Sequence, residues 1–258
     1  MLPVSGVELR LREPTGHDEV CVLESTTSAN ATTFVLAERL AAPLSGEPLS
    51  HATWGELPAP DLAAVALLIR EAWLGPLIQT EATCPSPPCS ETIDIAFTVR
   101  DYLAHSRPRH PRGVGSDERP GWYVLGDGVA RFRVPTVEDL LAVDGDSDPG
   151  QALAQRCVEP ADLPGSSARR VERAMAALAP SLVDTVAGEC PECGEPVALL
   201  FDPANFTVAE LRDVSRFVYA DVHLIASRYG WPEDEILALP SRRRACYADL
   251  IRDERWIA

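Results

Sequence analysis

Two cysteine pairs far apart in the chain set the strongest constraint on how it can fold. One is Cys190-Pro191-Glu192-Cys193-Gly194, and the other is Cys84-Pro85-Ser86-Pro87-Pro88-Cys89. A C-x2-C knuckle supplies two thiolates from one tight turn, and tetrahedral Zn²⁺ takes four ligands. Each pair is followed by a polar turn and a short apolar run ending on Phe97 or Phe201. This pattern predicts two zinc-ribbon-like knuckles that complete one structural zinc site, with Cys84, Cys89, Cys190 and Cys193 as ligands. A degenerate site that has lost its metal is one alternative, and redox or disulfide chemistry is another. A thioredoxin-type pair expects a helix after the cysteines, whereas strand-like sequence follows here. The longer spacer of the first pair departs from the ideal knuckle, and its three prolines stiffen that turn.

A second motif also occurs twice. Arg10, Arg12, Pro14, Thr15 and Asp18 match Arg131, Arg133, Pro135, Thr136 and Asp139 at one constant offset. Each begins as an alternating strand and turns at Pro-Thr into a helix start. The threonine can cap free amides there, and the acid suits the positive end of the helix dipole. Two repeated elements in the same order predict a diverged tandem duplication: strand, helices, cysteine knuckle, strand, helix. The expected organisation is a first half over residues 1–106, a Pro/Gly/Arg-rich linker over 107–121, and a second half over 122–258.

Between these landmarks the periodicity predicts helices over residues 26–40, 61–73, 99–105, 166–178, 207–228, 231–237 and 242–252, with another starting at Thr136. The stretch 43–60 reads as a loop, and the linker as exposed and mobile. Gly126-Asp127-Gly128 marks a hairpin within 122–134. In the long helix over 207–228, Leu211, Val214, Val218, Val222, Ile225 and Tyr229 form one apolar stripe. The last helix is expected to bury Cys246, Tyr247, Leu250 and Ile251. The aspartates of 144–150 read as a polar turn rather than a calcium loop, because no closing Glu follows.

Composition narrows the function classes. A net charge of −16 over 258 residues opposes non-specific nucleic-acid binding. No basic N-terminal segment leads into an apolar run, and residues 62–69 are too short to span a bilayer, so no membrane association is expected. Seven cysteines leave one over if all paired, which favours a reducing, cytoplasmic location. No P-loop, dinucleotide fingerprint, nucleophile elbow or H-E-x-x-H motif is present. His223 reads as a core or boundary residue, and Cys21, Cys157 and Cys246 as small buried hydrophobes. No constellation looks catalytic.

The last third carries a family resemblance. Phe201-Asp202, the helical stretch through Val222-His223-Leu224-Ile225-Ala226-Ser227-Arg228-Tyr229-Gly230-Trp231, then Glu235-Ile236-Leu237-Ala238-Leu239, Arg242-Arg243-Arg244 and Tyr247 resemble proteins encoded with contractile phage tails and phage-derived injection systems. They are similar to the T-even-phage baseplate-protein family. Cys190-Pro191-Glu192-Cys193-Gly194 and the N-terminal Leu9-Arg10-Leu11-Arg12-Glu13-Pro14-Thr15-Gly16 agree with its pattern. The specific part of the resemblance covers residues 189–251. It implies a non-enzymatic role in building the baseplate hub, with baseplate or hub proteins as partners.

The sequence therefore predicts an α+β, mostly helical protein whose two diverged halves are joined by a four-cysteine zinc site. A C-terminal docking face is expected around Trp231, Arg242, Arg243 and Tyr247, with Phe217, Tyr219 and Leu224 lying off the stripe and Trp256 adding aromatic area, because aromatics and arginine are enriched at interfaces. The alternative reading is a zinc-ribbon adaptor that binds nucleic acid or a protein partner, which would need a basic face. A third possibility, an enzyme built from scattered acids, would need clustered, perturbed carboxylates in a pocket.

Overall fold

A computed structural model describes the backbone of residues 1–257 and the side chains of residues 1–253. The chain is α+β and mostly helical, with 48% helix and 19% strand. β1 (Leu9–Leu11) leads into α1 (Gly16–Glu24) and α2 (Ala29–Leu40), and β2 (Ala41–Pro43) then returns antiparallel along β1. α3 (His51–Glu56) and α4 (Ala59–Leu74) follow. Next come the hairpin β3 (Leu77–Thr83) and β4 (Thr92–Thr98), and α5 (Val99–His105).

The order then recurs. β5 (Val114–Ser116) and β6 (Trp122–Leu125) precede β7 (Arg131–Arg133), which leads into α6 (Val137–Ala142) and α7 (Pro149–Cys157). β8 (Val158–Glu159) returns antiparallel to β7, just as β2 returns to β1, and closes the four-stranded sheet β5-β6-β7-β8. α8 (Gly165–Leu178) leads to the hairpin β9 (Asp184–Glu189) and β10 (Pro196–Phe201). Four helices end the described chain: α9 (Pro203–Ser215), α10 (Val218–Tyr229), α11 (Glu233–Leu237) and α12 (Ser241–Ile257).

The repeated Arg-x-Pro-Thr-x-x-Asp motif has a structural cause. Asp18 is fully buried and accepts from Arg12 Nη1 and Nη2 at 2.7 and 2.8 Å, from the Thr15 amide at 2.9 Å and from Arg39 Nε at 3.0 Å. Asp139 does the same in the second half. It accepts from Arg133, from the Thr136 amide at 3.0 Å and from Arg156 Nε at 2.9 Å. A carboxylate buried at a helix start needs this full set of donors, because an unpaired buried charge is strongly unfavourable. Arg39 and Arg156, which complete the sets, come from the next helix and lie outside the repeated motif.

Both Pro-Thr turns also dock on a Leu-Pro turn that starts another helix. The Val137 amide donates to Leu57 O at 2.8 Å, and the Ala59 amide to Pro135 O at 2.9 Å. At the other site the Ser241 amide donates to Pro14 O at 3.0 Å, and the Gly16 amide to Leu239 O at 3.3 Å. β7 and α6 are thus tied to the start of α4, and β1 and α1 to the start of α12. Gly16 permits the second contact, since a Cβ there would lie 2.8 Å from Arg244 Nη1 and 2.9 Å from the Leu237 Cα. Gly16→Ala is therefore expected to destabilise the protein by about 1–3 kcal/mol, as overpacking does. A shift of the denaturation midpoint with unchanged m-value would show it, and an unchanged midpoint would contradict the tight contact.

The principal core gathers Val22, Phe34, Leu36, Leu62, Val65, Ile69 and Leu211 from α1, α2, α4 and α9. α4 is apolar almost all round, as its sequence predicts, and it ends at Gly75 with φ of 92°. A second core joins α10, α11 and α12 through Val218, Val222, Ile225, Ile236, Ala248 and Ile251. No helix among the described residues is long and apolar enough to cross a membrane.

Several expectations are corrected. The long helix over 207–228 is two helices, α9 and α10, broken at Arg216 and Phe217. Its buried stripe is Ala204, Val208, Leu211, Ser215, Val218, Val222 and Ile225, while Val214 and Tyr229 are exposed. The stretch 107–121 is exposed in part but not a free linker. β5 lies in it and pairs with β6, the Gly126 amide donates to Gly113 O at 2.8 Å, and the Arg109 amide donates to Ala177 O at 2.7 Å. The loop over 43–60 contains α3, capped by Ser50 Oγ accepting from the Thr53 amide. In α12, Cys246 and Leu250 are exposed, Tyr247 is half-buried, and the buried set is Arg244, Ala248 and Ile251. His223 is exposed, Cys21 is half-buried, and Cys157 is buried as expected.

Candidate metal centre

The two cysteine hairpins deliver their thiols from matching positions. The β3–β4 ladder ends at Thr83 opposite Thr92, and the Cys84 amide then donates to Glu91 O at 2.9 Å. The β9–β10 ladder ends at Glu189 opposite Pro196, and the Cys190 amide donates to Glu195 O, also at 2.9 Å. The longer spacer of the first pair is therefore absorbed in the loop beyond the ladder, without shifting the strands. The chain then reverses after the second cysteine of each pair, at Gly194 with φ of 75° and at Ser90 with φ of 48°. Glycine adopts this left-handed conformation freely, whereas for Ser90 it costs about 1–2 kcal/mol. A Ser90 Oγ bond to Pro87 O at 3.2 Å offsets part of that.

At their far ends the hairpins meet over a shared aromatic base. The Phe97 and Phe201 rings lie edge to face with centroids 5.2 Å apart, and Tyr102 sits 4.9 Å from Phe201. Tyr102 Oη donates to Leu182 O at 2.7 Å. Burial, with Asp184 and Asp202 nearby, pushes its phenol up to about 12. Thr98 and Asp202, each directly after its phenylalanine, cap α5 and α9. Phe201 and Phe97 pack with Leu67, Ile78 and Val99 in one apolar cluster, which seats both hairpins against α4.

The four cysteines named from the sequence come together at the tips. Their Sγ atoms all lie within 4.8 Å of one another. Across the two hairpins, Cys84 Sγ lies 3.6 Å from Cys193 Sγ and Cys89 Sγ lies 3.8 Å from Cys190 Sγ. A disulfide requires about 2.05 Å between sulfurs, and all four cysteines are free. Four thiolates at about 2.3 Å from one tetrahedral Zn²⁺ lie about 3.8 Å apart, so the spacing fits such an ion. Cys84 and Cys190 are buried beside Val197, with Ala82, Cys89 and Ile93 packed around them, and Cys193 is exposed.

Acid–base properties point the same way. The Glu91 amide stabilises the Cys89 thiolate, yet desolvation and the three neighbouring thiols outweigh it and push Cys89 up to about 12. Burial raises Cys190, but amide hydrogen bonds from Cys193 and Glu192, with thiols donating to it, bring it down to about 7. A divalent cation among the sulfurs would favour their thiolate forms. The donor set is all thiolate, which suits zinc and other soft metals and leaves no ligand position open.

The predicted C-terminal face lies on α10–α12. Trp231 is half-buried, with ring centroids 5.6 Å from Tyr229 and 5.3 Å from Tyr247, so these rings fill the groove between the helices. Arg242 and Arg243 are exposed. Arg244 is buried, where it bonds Glu19 and approaches Asp221 Oδ2 at 3.5 Å. Phe217 and Tyr219 are exposed and Leu224 is half-buried. Trp256 lies outside the residues whose side chains are described. The structure thus unites the four cysteines and leaves the other named residues as a separate surface. No protein-family model, curated protein or solved structure matches this chain.

Proposed function

We propose that this protein is a non-enzymatic structural or assembly component of a contractile, phage-tail-like baseplate, with its two cysteine hairpins clamped by one structural zinc ion. The observation that carries the structural reading is the closed four-thiolate cluster, which joins one hairpin from each half. A catalytic zinc keeps a position for water or substrate, and this donor set does not. The zinc-ribbon character of the hairpins and the origin of the halves as diverged tandem copies belong to the same proposal. Supporting the duplication are the matching strand–helix–helix–strand units, the paired aspartate cages and the matching hairpins with their caps. The assignment to baseplate assembly rests on the resemblance of residues 189–251.

In this reading the metal clamp fixes the halves, and the face around Trp231, Arg242, Arg243 and Tyr247 docks a baseplate or hub protein. Co-purification from cells that make an intact contractile tail tests it. Arg243→Glu is expected to leave the melting temperature within about 1 °C of wild type, because an exposed charge contributes little stability, yet to reduce recovery with tail components severalfold. Normal recovery of this variant would remove the docking face. Failure of the wild-type protein to associate with any tail component would remove the baseplate assignment.

A further inference from the structure

A cavity of about 590 Å³ opens between the end of α3 and the β6–β7 hairpin, away from both the cysteine cluster and the C-terminal face. Glu56 and Pro58 line one wall and Tyr123 and Arg133 the other, with Arg109 and His110 also lining it. The last two belong to the basic run Arg107, Arg109, His110 and Arg112, which the fold ties down at Ala177 and Gly126. Its backbone is thus held in place, while the side chains of Arg107, Arg109, His110 and Arg112 are exposed.

The chain carries 39 acids against 23 basic residues, all of them arginine. Arg12, Arg70, Arg119, Arg133, Arg156, Arg170, Arg244 and Arg252 each engage a carboxylate of the protein itself. Against that surplus of acids, Arg107, Arg109 and Arg112 have no carboxylate partner among the described residues. Arg133 is fixed on Asp139 through both of its terminal nitrogens. Arg109 and His110 bring N–H groups to the lining, and Tyr123 lines it beside them. Proline and tyrosine walls accept an extended backbone, and arginine favours bidentate pairing with carboxylate.

We infer that this groove binds an extended acidic segment of a protein partner. Nucleic acid shares the negative charge, but Arg109 is the one arginine of this lining without a carboxylate partner among the described residues, too few cations to follow a phosphate backbone. The inference goes beyond the proposed function and holds whether or not the partner belongs to a tail.

Fluorescence anisotropy with the full chain and a labelled peptide of alternating glutamate and proline tests it. The wild-type protein is expected to bind the peptide, more weakly as salt rises. Arg109→Glu and, separately, His110→Glu are expected to weaken binding by about tenfold or more without changing the melting temperature. Arg216→Glu, a reversal at the α9–α10 junction outside the groove, is expected to bind like wild type. No binding of the peptide would overturn the inference, as would equal loss in all three variants. Tighter binding of labelled oligothymidylate than of the peptide would overturn it in favour of nucleic acid.

Discussion

Replacing Cys190 by serine is expected to abolish tight zinc binding and to lower the melting temperature by about 10 °C. Cys190 is a buried ligand, and its loss removes both a thiolate and a sulfur that fills the space beside Val197. A thousandfold loss of metal affinity removes about 4 kcal/mol of stabilisation. In a domain of this size each kcal/mol moves the midpoint by about 2–4 °C. Without the clamp the two hairpins keep their own ladders and the apolar packing around Val197 at the tips and around Phe97, Tyr102 and Phe201 at the base. Calorimetry with and without chelator separates the contributions. Chelator should bring the wild-type protein down toward the variant's midpoint, short of it by the packing the sulfur supplies, and leave the variant unmoved. A wild-type midpoint insensitive to chelator would show that the cluster does not hold the halves.

The second large effect is at Asp139. Asp139→Ala is expected to cost about 3–5 kcal/mol, because it leaves Arg133, Arg156 and the Thr136 amide without their shared acceptor. Burial alone would raise this carboxyl, but Arg133, the Thr136 amide and Arg156 hold it well below the usual carboxylate range. Asp18 is lowered in the same way against the same desolvation, by Arg12, the Thr15 amide and Arg39. A depressed folded value gives stability that is complete above the unfolded value of about 4 and is lost as pH falls below it. The wild-type melting temperature should therefore fall steeply below about pH 4, and the Asp139→Ala variant should start lower and fall less. Equal slopes for the two proteins would show that this carboxylate is not the group being protonated.

The parts of the fold legible in the sequence are those where chemistry needs particular residue types. Few side chains can ligate zinc, and paired cysteines set close in sequence stand out among them, so their spacing and following strands survive as a pattern. The aspartate cages are legible for the same reason: a buried carboxylate needs Arg12 or Arg133 and the Pro-Thr amide at fixed separations. Arg39 and Arg156 are hidden, because they approach from a separate helix at unequal distances along the chain. Periodicity could not reveal the break at Arg216 and Phe217. The buried positions from Ala204 to Ile225 keep alternating steps of four and three straight through it, with Ser215 where Val214 looked the better core residue. α7 was invisible because Cys157 is its one buried residue. β5 was masked by the prolines, glycines and arginines around it, although Gly113 and Gly121, with φ of 73° and 78°, let the chain turn onto the sheet. In α12 the arginine run suggested a surface, and Arg244 is instead the buried partner of Glu19.

X-ray absorption at the zinc edge, on protein purified under reducing conditions without chelator, tests the metal clamp most directly. About one zinc per chain is expected, with four sulfur neighbours at about 2.3 Å and no nitrogen or oxygen in the shell. Protein that carries no metal, or zinc bound by fewer than four sulfurs, would contradict the clamp formed by Cys84, Cys89, Cys190 and Cys193.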